Sequence, residues 1–315
     1  MLNRRSFITG IKSTILTEKE KKFLKTYKPW GVILFSRNIK SIKQTRKLTD
    51  QIKKIFRNKK YPILIDQEGG RVNRLRHFFN ADTLTGEYFG KLYSKNKTKF
   101  TQQYKKFIKN TSFLLKSIGV NINTLPILDL RSKGSSYIIG DRSLSNDAKT
   151  VSKIGDICIN LFHKNKIGTI IKHIPGHGLA KVDSHKSTPL IKKKLSHLIK
   201  KDFSAFKNKK SIFAMTAHIK YQSIDSLNTA THSKLVVNLI RNNIKFKNIL
   251  ITDDISMKSL KYSTKVNTLK AFKAGCNLVL HCNGNYREMC IVAKNSPLIS
   301  KFIIKKTSQF YKIIS

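Results

Sequence analysis

One short segment pairs an acid with an imidazole. Asp183 and His185 stand two residues apart in Asp-Ser-His, after a stretch with glycines at 176 and 178. A carboxylate beside an imidazole can orient the ring, fix its tautomer and stabilise its charged form, as proton transfer near neutral pH requires. The pair indicates a general acid/base, with a surface ion pair as the alternative.

A second acidic position ends an apolar run. Residues 249–252 are followed directly by Asp253 and Asp254. A carboxylate at the tip of a buried strand can be a nucleophile, a metal ligand or a helix N-cap. We expect Asp254 to be the cap and Asp253 to point into a site.

Charged residues of both signs follow another apolar run. Residues 66–74 read Asp-Gln-Glu-Gly-Gly-Arg-Val-Asn-Arg, which brings Asp66 and Arg74 onto one loop that its glycines allow to turn tightly. A salt-bridged loop cap is the alternative. The Gly-Asp-Arg-Ser segment that contains Arg142 is weaker evidence for a functional site, because such a turn is typical of a structural ion pair.

A zinc site is not expected. His173 and His177 have the i, i+4 spacing of a helical zinc pair, but Pro175 and Gly176 lie between them and break any helix. The 4 cysteines contain no CxxC pair, so they indicate neither a zinc site nor a dense disulfide framework.

The elements that must position these residues alternate along the chain. Short apolar runs, typical of buried strands, lie at 7–9, 31–35, 62–66, 119–123, 167–171, 212–216, 248–252 and 277–280. Between them, apolar residues spaced three and four apart predict one-faced helices at 42–57, 99–118, 148–164, 192–206 and 234–243. This alternation predicts an α/β fold, a closed (β/α)₈ TIM-type barrel of one domain over 1–315, with an open doubly wound sheet as the alternative.

The charge of the chain is strongly positive. With 63 Lys+Arg against 17 Asp+Glu in 315 residues, the formal net charge is +46, which would ordinarily indicate a polyanion partner. Lys far outnumbers Arg, however, and Lys, Ile and Asn share A/T-rich codons, so genome composition explains the excess. We expect no specific nucleic-acid partner, and we expect the Lys clusters at 192–194 and 207–210 to lie on solvated helix faces or ends.

The location of the protein follows from weaker features. Residues 3–8 resemble a twin-arginine export signal, but the apolar stretch behind them is short and carries a Lys, so we expect a first barrel strand instead. The sequence contains no run of 18 apolar residues, so we expect no ordinary membrane span. We therefore expect a cytoplasmic protein without a membrane partner.

Taken in order, the motifs resemble those of glycoside hydrolase family 3, specifically its single-domain bacterial β-N-acetylhexosaminidases. The resemblance covers nearly the whole chain and rests on 28–35 (Lys-Pro-Trp-Gly-Val-Ile-Leu-Phe) with Arg37-Asn38, the 66–71 loop, 140–143, 172–178 (Lys-His-Ile-Pro-Gly-His-Gly), 183–185, 215–218 (Met-Thr-Ala-His), 252–254 and 274–276.

The resemblance implies a (β/α)₈ barrel, no metal or organic cofactor, and retaining hydrolysis of terminal N-acetylglucosamine from muropeptides during cytoplasmic cell-wall recycling. It implies that Asp253 is the nucleophile and that His185, paired with Asp183, is the acid/base. The sugar-binding positions that it implies are Asp66, Arg74, Arg142, Lys172 and His173.

We expect the protein to act on this small carbohydrate as a monomer. Two other functions stay open. The same site could be a phosphorylase, because His lacks the negative charge that would repel phosphate. A basic polyanion-binding protein on a barrel scaffold is the alternative from another class.

Overall fold

Eight parallel strands close into a barrel in the computed structural model of the chain, which describes residues 3–132, 134, 137–184 and 187–315. In order around the barrel they are β1 (Arg5–Thr9), β2 (Pro29–Leu34), β3 (Ile63–Ile65), β4 (Ile122–Asn123), β5 (Gly168–Ile174), β7 (Phe213–Thr216), β9 (Ile249–Asp254) and β10 (Leu278–His281). Two further strands, β6 (Leu190–Ile191) and β8 (Lys220–Tyr221), form a separate parallel pair. Every predicted run is a strand, so the barrel is confirmed and the open sheet is excluded.

Helices follow most strands and cover the barrel from outside. They are α1 (Glu18–Tyr27), α2 (Ile42–Ile55), α3 (Gly86–Lys95), α4 (Lys97–Ser117), α5 (Ala148–Lys164), α6 (Leu195–Lys200), α7 (Lys234–Asn242), α8 (Thr264–Ala274), α9 (Tyr286–Asn295) and α10 (Lys301–Ile313). None of the helices in the described ranges is long and apolar enough to span a bilayer.

Two expectations about the region 192–210 are wrong. The predicted helix over 192–206 is only α6, because Lys201 (φ −108°, ψ −89°) interrupts it and a 3-10 turn, Asp202–Phe206, follows. Lys209, expected on a solvated surface, is buried, and its Nζ donates to Asp156 Oδ2 at 2.8 Å and to Ser152 Oγ at 2.6 Å. A carboxylate on α5 therefore draws one lysine of this cluster into the interior.

The barrel interior is apolar and is sealed at one end. Trp30, Phe213 and Phe310 pack in the same interior cluster, and the Trp30 indole donates to Thr307 Oγ1 at 2.9 Å. Because Thr307 and Phe310 belong to α10, this helix covers the end of the barrel at which the strands begin. The opposite end, where the strands finish, stays open for a site.

The shortest strand of the barrel is completed by a side chain. β4 has only two residues, and the Asn123 amide accepts from the Gln67 backbone N–H at 3.0 Å and donates to the Gln67 carbonyl at 2.8 Å. This pair of hydrogen bonds extends the sheet ladder past β3 and fixes the start of the 66–74 loop.

Candidate active site

The carboxyl ends of the barrel strands surround a cavity of about 220 Å³. Six of the side chains singled out in the sequence line it: Asp66, Arg74, Arg142, Lys172, His173 and Asp253. They come from the ends of three strands, β3, β5 and β9, and from two loops, so the closed barrel brings them together. This is where a barrel enzyme carries its chemistry.

Lys172 is at the centre of a buried ionic cluster. Its Nζ lies 3.0 Å from Asp66 Oδ1, 2.6 Å from Glu68 Oε1 and 2.8 Å from Thr124 Oγ1. Burial opposes its charge, but the two carboxylates outweigh burial and raise the pKa of Lys172. The ammonium is therefore charged although the side chain is almost completely enclosed.

Asp66 is held ionised by cations on two sides. Besides Lys172, Arg74 Nη2 lies 3.8 Å from its Oδ2, and the Thr124 hydroxyl donates to its Oδ1. Burial favours the neutral acid, but Lys172 and Arg74 hold the pKa of Asp66 well below its usual range. The carboxylate keeps the capacity to accept hydrogen bonds from a ligand in the cavity.

Arg142 forms a bidentate pair with Glu68. Its Nε and Nη2 donate to the two oxygens of Glu68 at 2.8 Å and 2.9 Å. Although burial favours the protonated form, Arg142 and Lys172 lower the pKa of Glu68 to about 2. Behind this pair, Arg71 contacts Asp141 at 3.1 Å. The salt-bridged loop and the Gly-Asp-Arg turn are thus one connected network, and its inner member, Arg142, faces the cavity.

His173 is oriented by a carboxylate that the sequence did not single out. Asp129 is completely buried, and its Oδ2 lies 2.6 Å from His173 Nδ1. Burial raises the pKa of Asp129, but His173 and His177 outweigh it and hold the pKa below its usual range. The ionised carboxylate can only accept, so Nδ1 carries the proton and Nε2 is the ring atom that can meet a ligand.

Asp253 and Asp254, the last residues of β9, have different surroundings. Asp254 accepts from the Ser256 N–H and the Cys282 N–H, each at 3.1 Å, and so ties the loop after β9 to the end of β10. Asp253 Oδ1 accepts a hydrogen bond from the Asp254 N–H at 2.8 Å. Burial favours protonation of Asp253, but His218 and His173 hold its pKa below the usual range. An ionised carboxylate at this position is chemically suited to act as a nucleophile.

The predicted acid/base pair, Asp183 and His185, is described only in part. Asp183 is half-buried, and its carbonyl accepts from the Ser187 N–H at 3.1 Å. His185 lies outside the described residues. Ser184, between them in the sequence, is buried and lines the cavity, so the segment reaches the site.

Sequence reasoning missed several members of the site. Asp129, Thr124 and His218 are buried and contact residues of the cavity. Asp129 had one detectable signal, an isolated acid in the apolar stretch Leu-Asp-Leu after β4. In the described ranges, no three His, Cys, Asp or Glu side chains come together as a metal-binding group.

Comparison with known proteins assigns the family. The model for the glycosyl hydrolase family 3 N-terminal domain matches residues 9–307. A protein named beta-hexosaminidase from Hydrogenovibrio crunogenus is 31% identical over 283 residues, covering 88% of this chain and 78% of its own. One from Neisseria meningitidis is 30% identical over 276 residues, covering 85% and 75%.

Solved structures agree with this similarity. NagZ from Neisseria gonorrhoeae in complex with N-trifluoroacetyl-D-glucosamine has a TM-score of 0.87 and 25% identity, with 100% of this chain and 91% of that one covered. A glycoside hydrolase family 3 β-N-acetylglucosaminidase from a Paenibacillus species has the same fold, with a TM-score of 0.85 at 23% identity and 98% and 60% coverage. The chain therefore belongs to glycosyl hydrolase family 3 and is a glycoside hydrolase.

Proposed function

We propose that the protein is a retaining exo-β-N-acetylhexosaminidase, which removes terminal non-reducing β-linked N-acetylglucosamine from muropeptides during peptidoglycan recycling in the cytoplasm. The observation that carries this proposal is the ionised Asp253 in one cavity with the Asp66–Lys172 cluster and His173. The relatives named beta-hexosaminidase support the class of sugar, as does the Neisseria gonorrhoeae protein bound to N-trifluoroacetyl-D-glucosamine.

The sugar would bind through groups that already have their charges compensated. Asp66, Lys172 and Arg142 are paired with one another or with Glu68, so a neutral ring can enter without leaving a buried charge alone. Their remaining donors and acceptors, with those of Arg74 and His173, fit the alternating hydroxyl groups of a pyranose. Fixed polar groups of this kind orient a ligand without needing to be rearranged.

Catalysis would take two displacements at the anomeric carbon. In the first, Asp253 Oδ forms a bond to that carbon while the bond to the leaving oxygen breaks and His185, oriented by Asp183, protonates that oxygen. In the second, water deprotonated by His185 displaces Asp253. Two inversions give net retention of the β configuration.

The proposed acid/base is a histidine, where most glycosidases use a carboxylic acid. A neutral imidazole does not repel an incoming anion. Phosphate is therefore the second acceptor to test.

The products from an anhydro-muropeptide separate these possibilities. We expect mass spectrometry to find free N-acetylglucosamine and the shortened muropeptide both with and without phosphate. N-acetylglucosamine 1-phosphate as the main product in phosphate would replace hydrolysis by phosphorolysis. An intact muropeptide, together with cleavage of simple aryl N-acetylglucosaminides, would contradict the proposed substrate and leave the glycosidase activity standing.

A further inference from the structure

The loop that follows β5 is held at three points by polar contacts, two of them buried. At its start, the Tyr221 hydroxyl donates to the Gly176 carbonyl. One residue later, the His177 N–H donates to Asp129 Oδ1 at 2.6 Å. Past the acid/base segment, the Thr188 hydroxyl donates to the Ser259 carbonyl at 2.6 Å. Both ends of the loop are therefore fixed to the barrel.

A further contact crosses the loop itself. His177 Nε2 lies 3.1 Å from Ser184 Oγ, and both side chains are buried, with exposures of 2% and 3%. Burial, with the nearby His173, lowers the pKa of His177 to about 4, so the ring is neutral at physiological pH. A neutral histidine adds no charge to the cavity, and its contact holds Ser184 against the start of the loop.

The position of Ser184 gives this contact a consequence for catalysis. Ser184 stands between Asp183 and His185 in the sequence, so fixing it restricts where both neighbours can lie. The anchor beneath His177 is Asp129, which also accepts from the N–H and Nδ1 of His173. One buried carboxylate thus supports both the sugar-binding histidine and the root of the acid/base loop.

We propose that His177 is a positioning residue for general acid catalysis, which acts through its contact with Ser184 and is itself anchored by Asp129. The inference rests on the proposed function, because it takes Asp183 and His185 as the acid/base pair. A side chain that only fills space would affect all substrates alike. A side chain that positions the acid affects only those substrates whose leaving oxygen needs a proton.

The test compares substrates with good and poor leaving groups. We expect Ser184→Ala and His177→Gln to keep kcat/KM on an activated aryl N-acetylglucosaminide within about threefold and to lose on the order of 10–100-fold on an alkyl one, part of the full value of a general acid. The double variant should lose no more than the worse single variant, because both remove the same contact. Ser187→Ala, which removes an exposed hydroxyl of the same loop, is the matched control and should change neither substrate.

The outcomes distinguish this inference from the proposed function. Equal losses on both substrates, or losses that multiply in the double variant, would overturn the positioning role of His177. If the loss in kcat/KM caused by His185→Ala depends on the leaving group and the loss caused by Ser184→Ala does not, only the positioning role fails. If His185→Ala itself shows no dependence, the acid/base role fails and the positioning role with it. Because Ser184→Ala leaves the buried His177 Nε2 without its partner, the variant should unfold at a somewhat lower temperature than the wild type, and the kinetics are compared well below both unfolding midpoints.

Discussion

Lys172 lies between two carboxylates and a hydroxyl, and this arrangement determines what the cavity can bind. A lone buried ammonium would attract an anion, but a compensated one offers hydrogen bonds of fixed direction. Removing either member of such a buried pair typically costs about 3–5 kcal/mol of stability, since the remaining charge is left unpaired. The residues that we propose bind the sugar are therefore also structural residues.

His185→Ala should separate proton donation from nucleophilic attack. The leaving group of an activated aryl glycoside is the anion of a phenol with a low pKa, which departs without a proton. In the variant, cleavage of such a glycoside should therefore fall much less than cleavage of an alkyl glycoside. The ratio of the two kcat/KM values, relative to wild type, measures this difference. Equal losses on both substrates would argue against the acid role.

The residues that carry distinctive sequence motifs could be identified without a structure. Asp253 and the Asp66 loop follow apolar runs, where a barrel positions its functional groups. The roles of Asp129 and His218 could not be assigned in this way, although Asp129 is an isolated acid in an apolar stretch and His218 ends the Met-Thr-Ala-His motif. Those roles come from contacts across the barrel to His173 and to the Asp254 carbonyl, which depend on which strand ends meet.

Helix α10 shows how an element far from the cavity supports it. Phe310 is completely buried, and its ring packs against Phe213 with centroids 5.5 Å apart. A Cβ on Gly168 would come within 2.7 Å of the Phe310 ring, so the helix and β5 fit closely. β5, which ends at the candidate active-site cavity, is thus packed at its beginning against α10.

Phe310→Ala should lower the free energy of unfolding by about 3–5 kcal/mol, the usual cost of emptying such a position. Because the change is at the other end of the barrel, kcat measured well below the melting temperature should stay near the wild-type value. Phe302→Ala, on the same helix but 37% exposed, is the control and should cost roughly 0.5 kcal/mol or less. Denaturant unfolding of the three proteins checks this, and a similar cost at both positions would contradict it.

The strands could be predicted better than the helices. Apolar runs identified all eight barrel strands, because strands covered on both sides have continuous apolar sequences. Helices such as α1 and α10 were not predicted, and the helix over 192–206 was overextended. The backbone of Lys201 interrupts the helix, and Asp202, which follows it, is buried with its Cβ 3.0 Å from where a Cβ on Gly176 would lie, close beneath the loop after β5.

The net charge of +46 applies to the whole molecule, and the cavity does not depend on it. Inside the cavity, the negative charges of Asp66, Glu68 and Asp253 balance those of the cations. Most lysines lie on helices outside the barrel. Self-repulsion among surface charges destabilises a compact fold, most strongly at low ionic strength. The excess of positive charge thus affects the stability of the fold more directly than it affects ligand recognition in the cavity.

Acidification from pH 6.5 to 4.5 should destabilise the fold. Burial lowers the pKa of His163 and His177 to about 4 and of His232 to about 3, from an ordinary value of 6.5. The unfolded chain therefore binds more protons than the folded one in this range, and stability falls as pH falls. Each histidine lowers the free energy of unfolding by up to about 1.4 kcal/mol for each unit that the pH falls in this range.

One buried acid works against this trend. Burial raises the pKa of Asp202 to about 6, so its folded form keeps a proton and its contribution is lost as pH rises. Three histidines outweigh one aspartate, and the added positive charge at low pH acts in the same direction as the histidines. Thermal unfolding at constant ionic strength should give a lower Tm at pH 4.5 than at pH 6.5; a higher Tm at pH 4.5 would contradict these protonation states.

The role of Asp253 is tested most directly by trapping the glycosyl-enzyme. A 5-fluoro N-acetylglucosaminyl fluoride forms such an adduct faster than water removes it, because fluorine destabilises both transition states while fluoride leaves readily. Peptide mapping by mass spectrometry should find one fluorinated sugar on Asp253 and none on the Asp253→Ala protein. A sugar on any other residue, or full hydrolysis of an aryl N-acetylglucosaminide by Asp253→Ala, would contradict the nucleophilic role of Asp253.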